Sequence, residues 1–281
     1  MAKVAFLGTG LLGGAMVEGL LRRGNAVTVW NRTEAKARAL ERFGARVAAS
    51  PEDAVAGAER VQMTLPDDEV VDAMVTRIRP RLAPGAVVID HSTTSPAGAN
   101  ARIDVLNGEG VAFVHSPVFM SPQMARDSVG LMVVSGPAPV VDAIRGHLEA
   151  MTGDVWYVGE RGDLAAAYKL FGNSMLFTIT AGLADVFAMA RANDIPLMDA
   201  VGVFSRFKVA SVITYRGEKM ARGDFSAMFE LTMARKDVRL MIEAAAGQAL
   251  TVLPPLAKRM DEAIASGRGS DDMGVIAAGK M

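Results

Sequence analysis

No cysteine occurs among the 281 residues. That excludes disulfides, zinc–thiolate centres and thiol nucleophiles. It is compatible with a reducing cytoplasm, the expected location. Histidine is scarce as well: His91, His115 and His147 are the three, and none has a second histidine at His-x-x-x-His spacing, so no metal centre is expected. Neither sign of charge is in excess, with 30 basic against 31 acidic residues and a net charge of -1. A basic surplus of the kind that meets nucleic acid is missing, and no nucleic-acid partner is expected. No secretory signal is expected either, because the apolar start is broken at Gly8 and Gly10 and carries Glu18.

What is there is an ordinary globular composition, 51% hydrophobic, long enough for two domains at about 100–200 residues each. Short apolar runs alternate with helical periodicity through the first half. Strands are predicted at 3–7, 26–30, 60–65, 86–90, 112–115, 131–135 and 155–158. Helices are predicted over 11–23, from a cap at Thr33 through Phe43, after Asp67, across "SPAGANARIDVLNGEG" and from Pro137. Repeated β-α alternation implies an α/β, mostly parallel, doubly wound Rossmann-like sheet.

After Gly162 the pattern changes. Leu164 to Asn193 holds no proline and only two glycines, Gly172 and Gly182, and an unbroken helix there would be roughly 45 Å long. It is apolar on nearly every face and is expected to be buried. A membrane span is not expected, because Lys169, Asn173 and Asp185 interrupt any run near the roughly 20 residues needed. The remainder reads as helical. The expected domains are therefore a dinucleotide-binding domain, 1–161, and an all-helical substrate and dimerisation domain, 162–281, joined by a long interdomain helix. An apolar helical domain of this kind is expected to bury its surplus in a homodimer or homotetramer.

Gly8, Gly10 and Gly13 fit Gly-x-Gly-x-x-Gly, with Thr9, Leu11 and Leu12 between and after them. The motif follows a strand, opens a helix and leads to a second strand, which is the context that separates a pyrophosphate site from a tight packing turn. An acidic residue often ends that second strand and holds a ribose diol. Here the strand ends in Asn31-Arg32-Thr33. Asn31 has no charge to repel a 2′-phosphate, Arg32 offers a planar cationic fork, and Thr33 adds a hydroxyl. NADP (as NADPH) is therefore expected in preference to NAD.

Four stretches, "FLGTGLLGGAMVEGL", "LPDDEVV" from Leu65, "DHSTTSP" from Asp90 and "YKLFGN" from Tyr168, with "RKDVRLMIEAA" from Arg235 in support, carry a family resemblance. In their order and spacing the chain resembles the β-hydroxyacid dehydrogenase family. That family includes 3-hydroxyisobutyrate dehydrogenase and tartronate semialdehyde reductase, and it is related to 6-phosphogluconate dehydrogenase. The resemblance implies that Leu65 and Pro66 line the adenosine side of the cofactor cleft and that Thr93 lies near the nicotinamide ribose. It implies that Lys169 is the catalytic general acid/base, that Asn173 is its substrate-binding companion, and that Lys236 approaches the nicotinamide. It implies hydride transfer between NADP(H) and a small aldehyde, keto acid or 3-hydroxyacid. Lys169 and Asn173, at i and i+4, share a helix face, and a lysine in an apolar stretch is costly unless paired or functional.

One loop departs from the family pattern. Where the family has Pro-Val-Ser-Gly-Gly to hold the substrate carboxylate, this chain reads Pro117-Val118-Phe119-Met120-Ser121 and then Pro122. Two readings stay open: Phe119, Met120 and Ser121 meet a different, less polar substrate, with Arg126 as a compensating charge, or Phe119 and Met120 simply pack against the interdomain helix. Two other functions also stay open. Imine reductases share the architecture but usually carry aspartate or tyrosine where Lys169 stands, and a catalytically idle NADP-binding scaffold would be expected to have lost the lysine.

Overall fold

The computed structural model describes residues 2–279. Its first half is a run of short strands and helices: β1 (Lys3–Leu7), α1 (Leu11–Arg22), β2 (Ala26–Trp30), α2 (Glu34–Arg38), β3 (Arg46–Val47), α3 (Pro51–Val55), β4 (Arg60–Met63), α4 (Asp68–Ile78), β5 (Val87–Asp90), α5 (Pro96–Gly108) and β6 (Ala112–His115). Then come β7 (Val118–Phe119), α6 (Pro122–Asp127), β8 (Gly130–Ser135), α7 (Ala138–Thr152) and β9 (Gly153–Gly159). The strands form one sheet in the order β3-β2-β1-β4-β5-β6-β8-β7, with β9 on β8. Strands β1 to β6 run parallel, whereas β8 meets β6 and β7 antiparallel.

The apolar runs form buried strands because helices cover both faces of the sheet. Successive side chains go to opposite cores. Phe6, Ile89 and Val114 join Met16, Val17 and Leu20 of α1 and Leu148 of α7. Leu7, Val88 and Phe113 join Val71 and Ile78 of α4 and Ile103 of α5 on the other side. Each such side chain contributes about 1.5–3 kcal/mol by leaving water.

The second half consists of helices. The long helix α8 (Asp163–Ala192) is followed by α9 (Leu197–Gly202), α10 (Ser211–Ala221), α11 (Leu231–Ala244) and α12 (Leu253–Ala263). Packing divides the chain into two compact units, Met1–Asn173 and Ser174–Met281, so the division falls inside α8, while the helix itself begins next to the expected boundary at residue 161. The second unit has its own core of Leu231, Ala234 and Val238 against Ala257, Met260 and Val275. In it Asp185 of α8 is 2% exposed and accepts hydrogen bonds from the amides of Thr251, Val252 and Leu253 at 2.5, 2.9 and 2.9 Å. One carboxylate thereby satisfies donors at the start of α12 that have no partner inside that helix.

Four local expectations need correction. The helix expected from Thr33 to Phe43 is only α2, followed by a tighter turn at Glu41–Phe43; Thr33 makes no capping bond, and Gly44 ends the segment with a left-handed φ of 99°. The strand expected to Leu65 ends at Met63. Strand β7 and helix α6 were not anticipated. Finally, α8 is not buried in the single chain: Phe171 is 66% and Phe177 68% exposed, and Leu170, Met175, Leu176 and Ile179 are exposed too. By length and composition alone this helix could cross a membrane, but the amides that Asp185 holds tie its C-terminal half into the second unit's packing.

Candidate active site

The carboxyl ends of the parallel strands lie in a row because backbone bonds continue past each strand. The Gly8 amide donates to Trp30 O, Thr64 to Leu7 O, His91 to Met63 O and Ser116 to Asp90 O, at 2.9, 3.0, 2.9 and 2.7 Å. The loops after β1, β4, β5 and β6 are thus neighbours. The strand order reverses between β1 and β4, and a crevice at such a switch point is where open α/β sheets bind ligands.

At Gly8, φ is +94° and a Cβ would lie 2.2 Å from Thr64 O, so no side chain fits. At Gly13 a Cβ would lie 2.1 Å from Gly8 O, which is how closely α1 approaches the loop. Gly10 differs: a Cβ there would meet nothing within 4 Å. It is the N-cap of α1, without a side-chain cap and with no acid in the first turn. The amides of Leu11, Leu12 and Gly13, in the first turn, have no intrahelical acceptor, an arrangement suited to an anion. Leu11 stands 88% exposed beside them. This cradle fits a dinucleotide pyrophosphate.

Asn31 does more than lack charge. Its side-chain oxygen accepts from the Thr9 amide at 3.0 Å and its amide nitrogen donates to Thr33 O at 2.9 Å, binding the glycine loop to the end of β2. An aspartate could accept the first bond but not donate the second. Arg32 and Thr33 are exposed, and the Arg32 guanidinium has no hydrogen bond or ion pair among the described residues.

Leu65 is half-buried, whereas Pro66 and Thr93 are exposed. The Leu65 amide donates to Ser92 Oγ at 2.9 Å, and the Ser92 amide donates to Asp90 Oδ1 at 2.9 Å. This staple between the loops after β4 and β5 was missed in the sequence, although Asp-x-Ser is a recognisable signal for a side chain closing a turn two residues on. Asp90 is fully buried with His115 Nδ1 3.3 Å away. Burial pushes the Asp90 carboxyl up, but His115 and Ser92 outweigh it and hold it below the usual value. The neighbouring Thr94 hydroxyl is buried with no partner among the described residues, as is that of Thr9. Beneath the loops, Gln62 bridges His91 and His147 at 3.1 and 2.5 Å. Burial pushes these imidazoles down to about 4 and about 3, so both are neutral at pH 7 and serve the interior.

Lys169 sits on α8 at the end of the first unit. Its Nζ donates to Val118 O at 2.8 Å and lies 4.2 Å from the centroid of the Phe119 ring. It is half-buried, has no carboxylate partner among the described residues, and burial pushes its pKa below the ordinary lysine value. Asn173, one turn on, is half-buried with its side-chain amide unbonded among the described residues. The Phe119 ring also lies against Gly172, where a Cβ would come within 2.4 Å of it.

The packing reading of the divergent loop is thus visible in the geometry. Met120 is half-buried and packs on the core that includes Met16 and Val118. Ser121 caps α6 by accepting from the Met124 amide at 3.2 Å, with Pro122 in the first turn where its missing N–H costs nothing. Arg126 is not free to serve as a compensating charge, because it forms a forked ion pair with buried Glu18 of α1 at 2.9 and 3.4 Å. Lys236 belongs to the second unit, on α11, where it pairs with Asp237 at 2.9 Å and is largely exposed.

A glycine cradle at the switch point of a doubly wound sheet, followed by a helical unit, defines a dinucleotide-binding protein of the Rossmann type. The family model described as the NAD binding domain of 6-phosphogluconate dehydrogenase matches residues 3–159, more than half the chain, and the chain belongs to this family, as the resemblance to the β-hydroxyacid dehydrogenases implied. Among curated proteins it is 26% identical over 264 residues to the cytokine-like nuclear factor N-PAC of Homo sapiens, covering 92% of this chain and 47% of that one. The chain thus spans about half the length of that relative. It is 28% identical to the 3-sulfolactaldehyde reductase of Escherichia coli, covering 98% and 95%. Among solved structures it resembles an imine reductase from Myxococcus stipitatus in complex with NADP+, with a TM-score of 0.89 over 98% of both chains at 20% identity, a likeness of fold.

Proposed function

We propose that the chain is an NADP(H)-dependent oxidoreductase that reduces a small aldehyde or keto compound, or oxidises the corresponding hydroxyacid, with Lys169 as general acid/base. The observation that carries this reading is the state of Lys169: half-buried, its pKa pushed down by burial, and, among the described residues, unpaired by any carboxylate and beside an Asn173 amide without a partner. A lysine so tuned suits proton transfer near neutral pH. The first-turn amides of α1 would hold the pyrophosphate, Leu65 and Pro66 the adenosine side, Arg32 and Thr33 the 2′-phosphate, and Thr93 the nicotinamide ribose. When bound, the cofactor supplies hydride to the carbonyl carbon. Lys169 gives a proton to the carbonyl oxygen as the charge develops, and Asn173 orients the substrate. In the oxidative direction neutral Lys169 takes the hydroxyl proton.

The name of the Escherichia coli relative supports an aldehyde substrate. An imine substrate is the second reading, favoured by the apolar Phe119 wall beside Lys169; the retained lysine weighs against an idle scaffold. The exposed apolar residues of α8 support a second copy of the chain as partner, and the cysteine-free sequence is compatible with a cytoplasmic setting.

The test is NADPH oxidation with glyoxylate, succinic semialdehyde, methylmalonate semialdehyde, tartronate semialdehyde and a cyclic imine. Lys169→Ala is expected to lower kcat by about 10²–10⁴-fold; carbonyl turnover that survives it would end the acid/base assignment. Arg32→Ala is expected to weaken NADPH binding about tenfold, roughly 1.4 kcal/mol, and leave NADH unchanged. Equal efficiency with both cofactors, unaffected by the substitution, would end the NADP assignment.

A further inference from the structure

The surroundings of Lys169 carry information about the substrate beyond the identity of the acid. Two groups on the loop touch its ammonium: the Val118 carbonyl at 2.8 Å and the Phe119 ring at 4.2 Å from its centroid. A carbonyl oxygen and an aromatic face both present negative charge density. They stabilise a cation and repel an anion. No cationic donor in this loop is left to offset that repulsion. Arg126 is held by Glu18 in a two-point ion pair, Pro122 has no amide hydrogen, and Ser121, which caps α6 by accepting from the Met124 amide, adds only a neutral hydroxyl. Asn173 adds a neutral amide.

The Phe119 ring cannot swing inward, because it already lies against the backbone of α8 at Gly172, where the missing Cβ is what lets it fit. It is half-buried and leaves part of its surface open. A substrate that approaches Lys169 along this loop therefore meets an apolar wall. A carboxylate placed against the Phe119 ring would lose its hydration and find no donor on that face, which disfavours it relative to an apolar group of the same size.

The geometry points to Phe119 as the specificity-determining residue of the site, selecting carbonyl compounds whose remaining substituents are uncharged and apolar over those that carry a carboxylate. The assignment rests on the oxidoreductase reading above and narrows its substrate from the keto acid and hydroxyacid to an uncharged carbonyl compound and its alcohol. The reaction is the addition of hydride to the carbonyl carbon and of the Lys169 proton to the oxygen, giving an alcohol, with Lys169 reprotonated from solvent.

A matched pair tests it: succinic semialdehyde and its methyl ester have the same reacting aldehyde and differ in the charge at the far end. NADPH oxidation by the full chain is expected to show kcat/KM at least about tenfold higher for the ester, mostly through KM. Phe119→Ser, which supplies a hydroxyl donor, is expected to cut the ester-to-acid ratio about tenfold, and Phe119→Leu, which keeps the wall apolar, is expected to preserve it. NADPH fluorescence titration verifies that each variant binds cofactor; if Phe119→Ser does not fold, the wild-type ratio and the leucine variant decide. A wild-type preference for the acid, a ratio unchanged by serine, or a ratio lost with leucine overturns the assignment. Cofactor binding without turnover of either aldehyde overturns the carbonyl-reductase reading, and the assignment with it.

Discussion

Gly172→Ala separates what this chain gains from helix propensity and what it loses in contact. Gly172 lies within the 30-residue helix α8, where alanine is favoured over glycine by about 1 kcal/mol. A Cβ there would stand 2.4 Å from both Cε1 and Cζ of Phe119, where 3.4–4 Å is ordinary contact. The ring must move, and overpacking of this kind costs about 1–3 kcal/mol. The net expectation is a change between neutral and about 2 kcal/mol destabilising. With Phe119→Ala already present, the obstacle is gone and the same substitution should stabilise by about 1 kcal/mol. Urea unfolding of the four chains at constant pH gives the coupling, expected at about 1–3 kcal/mol. Because the displaced ring leaves the Lys169 ammonium, Gly172→Ala alone should also lower carbonyl reduction. Stabilisation by Gly172→Ala with Phe119 intact, and no coupling between the two, would refute the wedge of Phe119 between Lys169 and Gly172.

Two further outcomes follow from other contacts. Arg126→Met should leave KM for every turned-over carbonyl unchanged, because Arg126 is held by Glu18; it should destabilise the chain by about 1.5–2 kcal/mol in thermal or urea unfolding, because the Glu18 carboxylate loses two charge-assisted bonds and keeps only Arg22 at 3.9 Å, and Glu18→Gln in the same chain should recover part of the loss. Asp185→Asn should cost about 2 kcal/mol, since a neutral amide replaces a carboxylate that accepts three backbone bonds. The pH dependence has a definite sign. Burial raises the Asp185 carboxyl, but the amides of Thr251, Leu253 and Val252 outweigh it and hold it below the usual value. Its stabilisation is therefore complete above the unfolded carboxyl value of about 3.9 and is lost as the pH falls toward the folded one. Unfolding between pH 3 and 7 should show a steeper acid loss for the native chain than for Asp185→Asn.

Much of the cofactor half could be read from the chain because its demands are local. Gly8, Gly10 and Gly13 answer a positive φ, an open helix end and a close backbone approach, and each is a requirement on one or two neighbouring peptides. The apolar runs of β1, β4, β5 and β6 are legible because a parallel sheet covered on both faces buries every residue in turn. Strand β7 and helix α6 are harder. They are 2 and 6 residues long, too short for a period to show, and β7 exists only by pairing with β8.

By itself, then, the sequence determined the doubly wound dinucleotide fold, the glycine cradle, the absence of thiol chemistry, and the pairing of Lys169 with Asn173 on one helix face. Each of these follows from composition, backbone sterics or helical spacing, which act over a few residues. The tertiary structure decided how those groups are spent. Arg126 looked free until Glu18, 108 residues away, took it; Asn31 became a tie between two loops; and Lys169 found its place on Val118, 51 residues away, under a Phe119 ring that fits only because Gly172 has no side chain. Partners so distant in the chain leave no periodic trace in it, because which of several donors meets which acceptor is fixed only when folding brings their elements together.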